Sequence, residues 1–174
     1  MAVLKKKFFQ IEVPVLNDTL EVYAASIEET VGRTIKVDLT RHLKGKNLEA
    51  IFEIVKKDGK IYAEAKSALI VSSYQRRIMR KGISYIEDSF VCKTKDGTLR
   101  IKPFMMTRQK IHRKLRNALR VKAREILTEF CKEKTSEEVF MAVLEAGIQR
   151  EISISLKKIY PLSFCEIRAI NKEK

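Results

Sequence analysis

Among its 174 residues the chain has no tryptophan, two histidines, three prolines and three cysteines. Each scarcity removes a class of function. Cys92, Cys131 and Cys165 are odd in number and far apart, and they form no CxxC pair. A zinc ribbon and a thioredoxin-type redox motif are therefore both excluded, and the cysteines read as small, partly buried apolar residues. With His42 and His112 as the only imidazoles, a transition-metal site is hard to assemble. No metal and no cofactor is expected. The phosphate-binding, dinucleotide and zinc-protease signatures are absent. His112 lies among cations with no carboxylate to orient it, which does not suit a general base. Glu28-Glu29 and Glu137-Glu138 are explained by helix starts and solvated loops. No catalytic residue and no small-molecule substrate is predicted. No apolar run approaches the roughly 18 residues of a membrane span. The opening MAVLKKKFFQ lacks a secretory apolar core, so a cytoplasmic protein is expected.

What the sequence has in excess is positive charge, a formal +14. Its placement matters more than its size. Between Lys66 and Arg124 there are 17 Lys/Arg and only 3 Asp/Glu, namely Glu87, Asp88 and Asp96. That segment carries the whole excess, and the remainder of the chain is neutral. Charge placed for solubility would be spread out. Charge concentrated on one segment points to a polyanionic partner. Hydrophobic residues make up 45% of the chain, enough for a real core. The length suits one domain over residues 1–174.

The patterning predicts an α+β fold: a mainly antiparallel sheet or barrel over 1–106, then C-terminal helices and a final strand over 107–174. Lys7–Val13 is a short strand ended by Pro14 and Asn17-Asp18, and Thr34–Leu39 alternates in period two. Leu48–Val55 and Ile61–Leu69 flank Asp58-Gly59, and Ile83–Thr94 and Thr98–Met106 flank Asp96-Gly97. Both dipeptides are hairpin signals. Pro103 favours an edge or a bulge. Ser72 or Ser73 is expected to cap a short helix running to about Lys81, stopped by Gly82. After Met106 the period changes to 3.6, with Ile111, Leu115, Leu119, Ile126 and Phe130 as the apolar stripe of a helix ending near Lys134. Thr135 or Ser136 caps a second helix closed by Gly147. A third helix or turn covers about 148–158, and Phe164–Ile170 forms the last strand.

The basic helix carries the functional reading. At 100° per residue Arg113, Arg116, Arg120 and Arg124 fall within about 80° of one another, along about 16 Å of helix axis. The apolar stripe is expected on roughly the opposite side. Arginine suits phosphate because its planar, always ionised fork donates two parallel hydrogen bonds. No acidic residue occurs between Gly97 and Arg124. Like charges at i,i+4 spacing destabilise an isolated helix, so the row is not explained by helix stability. Arg108, Lys110, His112 and Lys114 extend the patch. A second cluster, YQRRIMRKG, supplies Arg76, Arg77, Arg80 and Lys81.

Four stretches, in order, resemble the S-three-Ae family of small-subunit ribosomal proteins of archaea and eukaryotes. They are KKKFFQIEVP, VGRTIKVDL, TKDGTLRIKPFMMTR running into the basic helix, and KKIYPLSFCEIR. The chain departs from the family pattern in having no tryptophan in the first stretch and Thr98 where an aromatic is usual. The compact form is similar to archaeal members. The resemblance implies a structural protein of the small ribosomal subunit, bound to ribosomal RNA on the platform near the messenger exit region, with neighbouring platform proteins as partners. The alternatives are a nuclease, which needs clustered carboxylates for metal ions beside the basic face, and a free DNA- or RNA-binding protein.

Overall fold

The computed structural model describes residues 5–43, 45–57 and 59–173. Its strands are β1 (Lys7–Val13), β2 (Asp18–Ala24), β3 (Thr34–Asp38), β4 (Leu48–Lys57), β5 (Lys60–Ile70), β6 (Tyr85–Glu87), β7 (Phe90–Lys93), β8 (Thr98–Thr107) and β9 (Leu162–Glu173). Its helices are α1 (Ser72–Ile78), α2 (Arg113–Glu133), α3 (Ser136–Leu144) and α4 (Gly147–Leu156). The strands make one mixed sheet with the order β2-β1-β5-β9-β8-β6, to which β3–β4 attach at β5 and β7 at β8. The described pairings are antiparallel except β1 with β5, and they leave the sheet open. The fold is thus α+β, as the patterning predicts.

Alternation places the core. Leu48, Ala50, Phe52 and Ile54 of β4 point inward, and Leu99 and Ile101 of β8 do the same. From Pro103 to Thr107 every residue of β8 is buried. α2 packs on β6, β7 and α4, while α3 and α4 pack on β9. One continuous apolar cluster joins sheet and helices. Pro103 sits where the β8–β9 register shifts, a bulge that tolerates its missing N–H.

Several expectations are corrected. β1 ends at Val13 as expected, and the turn through Asn17 (φ 51°) leads into a strand not assigned from the sequence, β2, with Val13 opposite Asp18. Asp58 lies outside the described residues, but Gly59 has φ +77° and the hairpin forms with Lys57 opposite Lys60. At the other hairpin Gly97 is not left-handed, and Asp96 does different work: its carboxylate accepts from the Ser136 N–H (2.7 Å) and the Ser136 hydroxyl (2.9 Å), tying the turn to the start of α3. Thr135 caps α3 in a capping box with Glu138. The left-handed residue after α3 is Ala146 (φ 59°), so Gly147 opens α4 and does not close α3. α1 starts after Val71 with no side-chain cap and stops at Ile78, leaving Arg80 and Lys81 in the loop before Gly82.

The largest correction concerns α2. Strand β8 runs through Thr107, so Arg108, Lys110, Ile111 and His112 form an entry loop and the helix begins at Arg113. Its fully buried residues are Leu119, Ala123, Leu127 and Cys131, whereas Ile111, Ile126 and Phe130 only flank them and Leu115 is half-buried. A stripe with a spacing of four turns by about 40° per step. Arg120 and Arg124 repeat at the same spacing and wind with it, so each lies about 100° from the buried residue before it and not opposite the stripe. Lys122 is exposed and pairs with Glu125 at 3.0 Å.

Leu127→Ala is expected to cost about 2–5 kcal/mol, the range for a leucine cavity, and Leu119→Ala the same. Ile126→Ala, at a half-buried position, should cost less. Denaturant titration of the three variants checks the helical phase, which is wrong if Ile126→Ala proves the costliest. A second expectation follows from Asp96. Burial works to raise its carboxyl, but donors on Ser136 and Thr94 outweigh it and hold the pKa below the ordinary 3.8. The stability this confers is present above the ordinary pKa and is lost as pH falls below it. Asp96→Ala should lower the denaturation midpoint at neutral pH, and the gap from wild type should close as pH falls through the carboxylate range.

Candidate nucleic-acid interface

The site is built on a short segment, Ile83–Tyr85, that leads into β6. Ser84 clasps this segment to the end of β8. Its N–H donates to the Thr107 hydroxyl oxygen (3.2 Å), and its carbonyl accepts from the Thr107 N–H (2.9 Å). The Ser84 hydroxyl oxygen then accepts from the Ile111 N–H (3.1 Å). The Thr107 hydroxyl is also 2.6 Å from the Gln109 carbonyl. Thr107 is fully buried. The entry loop is therefore held against Ile83–Tyr85, and its cations cannot swing away from that segment.

Three adjoining grooves run along this seam. The first, about 580 Å³, is lined by Arg77, Arg80 and Arg108 with Ile83 between them. The second, about 350 Å³, shares Ile83 and adds Tyr85, Lys110 and Arg116. The third, about 610 Å³, shares Tyr85 and Arg116 and adds Arg113, Lys114, Asn117 and Arg120. Two basic clusters some thirty residues apart in sequence thus meet along one band. The first turn of α2 opens into the third groove with no acidic residue and no side-chain cap at His112, so the positive end of the helix dipole adds to the field there.

Not every sequence-predicted residue joins the band. Arg76, Lys81 and His112 are exposed but line none of these grooves. Arg124 is engaged elsewhere. Its guanidinium donates to both oxygens of Asp88 (3.0 and 2.8 Å) and lies 5.2 Å from the Phe90 ring centre. The Asp88 hydrogen bonds raise its pKa. Its place beside the β6–β7 turn explains this: Asp88 and Phe90 lie within reach of Arg124, whereas Arg113, Arg116 and Arg120 have no acidic partner among the described residues. Arg120 donates to Asn117 Oδ1 at 2.7 Å, a contact that orients it without neutralising it. Arg77 rests 5.3 Å from the Tyr74 ring centre. Sequence reasoning missed Tyr85, Asp88 and Phe90. The alternation Tyr85, Glu87 against buried Ile86 was the available signal for the first.

The acidic residues of the basic segment are all committed. Glu87 accepts from Arg168 at 2.8 Å and from Gln75 at 3.3 Å, Asp88 holds Arg124, and Asp96 holds Ser136. Among the described residues no group of three or more His, Cys, Asp or Glu is placed to hold a metal. No described helix is long and apolar enough to cross a membrane. Cys92 and Cys131 are buried and unbridged. Contact with Cys92, together with burial, raises the Cys131 thiol, and burial pushes Cys165 up to about 12. Both stay protonated at neutral pH, which makes them poor nucleophiles.

Arg124→Ala should therefore differ from its neighbours in the row. It removes an ion pair worth up to about 1 kcal/mol and a ring contact of similar size. It also leaves Asp88 without its partner. Arg113→Ala, Arg116→Ala and Arg120→Ala should leave stability nearly unchanged. A double-mutant cycle of Arg124→Ala with Asp88→Ala, read by chemical denaturation, should show a coupling of roughly 0.5–1 kcal/mol. Zero coupling would mean that the pair does not form.

The small ribosomal subunit protein eS1 of Nanoarchaeum equitans is 31% identical over 172 residues, covering 94% of this chain and 87% of that protein. The eS1 proteins of Pyrobaculum islandicum and Pyrobaculum neutrophilum are each 30% identical, covering 95% and 86% of this chain and 78% and 70% of their own length. The pattern of the Ribosomal S3Ae family matches residues 2–174. The chain belongs to the Ribosomal S3Ae family.

Proposed function

We propose that this protein is a structural component of the small ribosomal subunit that holds ribosomal RNA in the cationic band between α1, the entry loop and α2. The observation that carries the reading is the convergence of two remote basic segments on one seam whose arginines have no acidic partner among the described residues. The apolar stripe holds α2 to the protein, and Arg113, Arg116 and Arg120 hold phosphate. A-form major grooves are too narrow for side-chain readout, so recognition is of backbone and folded shape. The similarity to eS1 proteins and the motif order support a position on the platform near the messenger exit region, beside other platform proteins, in cytoplasmic ribosomes. A nuclease reading has no support, since the carboxylates near the band are already spent on Arg124, Arg168 and Ser136.

The triple variant Arg113→Ala/Arg116→Ala/Arg120→Ala tests the reading. Alanine favours helix and relieves like-charge repulsion, so circular dichroism should be unchanged. Each lost phosphate contact lowers the salt slope of RNA binding by about one, so the slope should flatten by up to about three. In cells the tagged wild-type protein should co-sediment with small subunits through a high-salt wash, and the triple variant should be depleted from them. A folded triple variant with the wild-type slope and sedimentation would show that the band is not the RNA face.

A further inference from the structure

Tyr85 is an unusual residue to find in this band. It is 55% exposed, at the start of the short edge strand β6, while its neighbour Ile86 is 4% exposed and faces the core. Among the described residues the only other strongly exposed aromatics, Phe8 and Tyr23, pair with each other, with ring centres 5.0 Å apart. Tyr62, Tyr74, Phe90 and Phe130 each carry a cation over the ring. Among the described residues Tyr85 has neither a ring nor a cation on it. It is the one side chain besides Arg116 that lines both the second and the third groove, so it divides them like a shelf. The third groove, at about 610 Å³, is within the roughly 300–1,000 Å³ range of ligand clefts. The acid nearest to Tyr85 in that groove, Glu87, is neutralised by Arg168.

A cationic groove needs no aromatic to bind a paired stem, because a stem presents phosphates and hydroxyls outward and keeps its base faces stacked inside. An uncovered ring flanked by arginines matches an unpaired nucleotide, whose base stacks on the ring while the cations hold its phosphates. We propose that Tyr85 is the stacking site for an unpaired base of the bound RNA, with Arg116 and Arg120 on the flanking phosphates. This deepens the RNA-binding reading above and rests on it. Asn117, hydrogen-bonded to Arg120, positions that guanidinium over the groove.

The test uses the full chain and two RNAs: a hairpin with a single bulged 2-aminopurine, and the same hairpin with that base removed so that the stem is fully paired. Binding of the bulged RNA should change the 2-aminopurine fluorescence. Tyr85→Ala should weaken the bulged RNA by about 5- to 150-fold, the range for loss of one base–aromatic stack, and abolish the fluorescence change. Tyr85→Phe should retain both. Affinity for the paired stem should be the same for all three proteins. Equal weakening of both RNAs, or no weakening of either, overturns the stacking site. So does a loss in Tyr85→Phe equal to that in Tyr85→Ala, since that would assign the role to the hydroxyl. The same holds if a glutamate- and phenylalanine-rich peptide binds in a Tyr85-dependent way while the bulged RNA does not. The RNA reading itself is judged separately. The triple arginine variant must lose affinity for both RNAs, and if it binds both like wild type, the band and not just the shelf is misassigned.

Discussion

The clasp between Ser84 and Thr107 is the constraint on which the rest of the site depends. A threonine hydroxyl buried at the end of a central strand must be hydrogen-bonded, because an unsatisfied buried polar group costs about 1–3 kcal/mol. Its partners are the backbone of Ser84 and the carbonyl of Gln109. Satisfying them draws the chain before β6 and the chain after β8 together. The cations of the two segments then face one seam at a separation that their mutual repulsion would otherwise increase. The core supplies the energy for this. β8 is buried on both faces here, and the carbonyls of Met106 and Thr107 are further held by the Ser163 hydroxyl at 3.2 Å each.

Contacts outside the helix divide labour along α2. At its N-terminal end the arginines point away from the buried face, and at Arg124 the same row reaches Asp88 and Phe90. A row that looks uniform in sequence therefore contains three groups free to meet a phosphate and one that fastens the helix to the β6–β7 turn. A helical projection identifies the row, but the partners that separate these roles, Asp88 and Phe90, lie outside the helix.

What was legible in the sequence was what short-range physics decides. Alternation located β3 and β8, the Asp58-Gly59 signal located β4 and β5, and Thr135 or Ser136 followed by acidic residues announced α3. Concentrated charge pointed to the segments that the fold brings together on one band. What was not legible depended on partners distant in the chain. The loop from Arg108 to His112 contains no Pro or Gly to break a helix, and only its bonds to Ser84 make it a loop. Strand β9 continues through the polar Asn171, Lys172 and Glu173 because β8 pairs with it there, with Arg100 on Glu173. The Asp96-Gly97 pair marked a hairpin correctly, yet its carboxylate serves a helix forty residues away. Tyr85 was passed over because one exposed ring in a strand carries no pattern of its own. Its meaning comes from what surrounds it.

Strand β9 has a further consequence for how the molecule is made. It lies between β5 and β8 and is the only strand joining the β1–β5 side of the described sheet to the β6–β8 side. Synthesis runs from N- to C-terminus, so the ribosome delivers both halves before Leu162–Glu173 exists to bridge them. In that interval β5 and β8 present open edges, a hazard for pairing with other chains. The second and third grooves of the basic band, by contrast, are lined only by residues 83–87, the entry loop and α2, all already synthesised, whereas the first also takes Ser163 and Phe164 from β9. Most of the basic surface can thus be in place while the sheet beneath it is still in two parts. Any RNA that engages the band during this interval would hold the β6–β8 half in place while the bridging strand arrives.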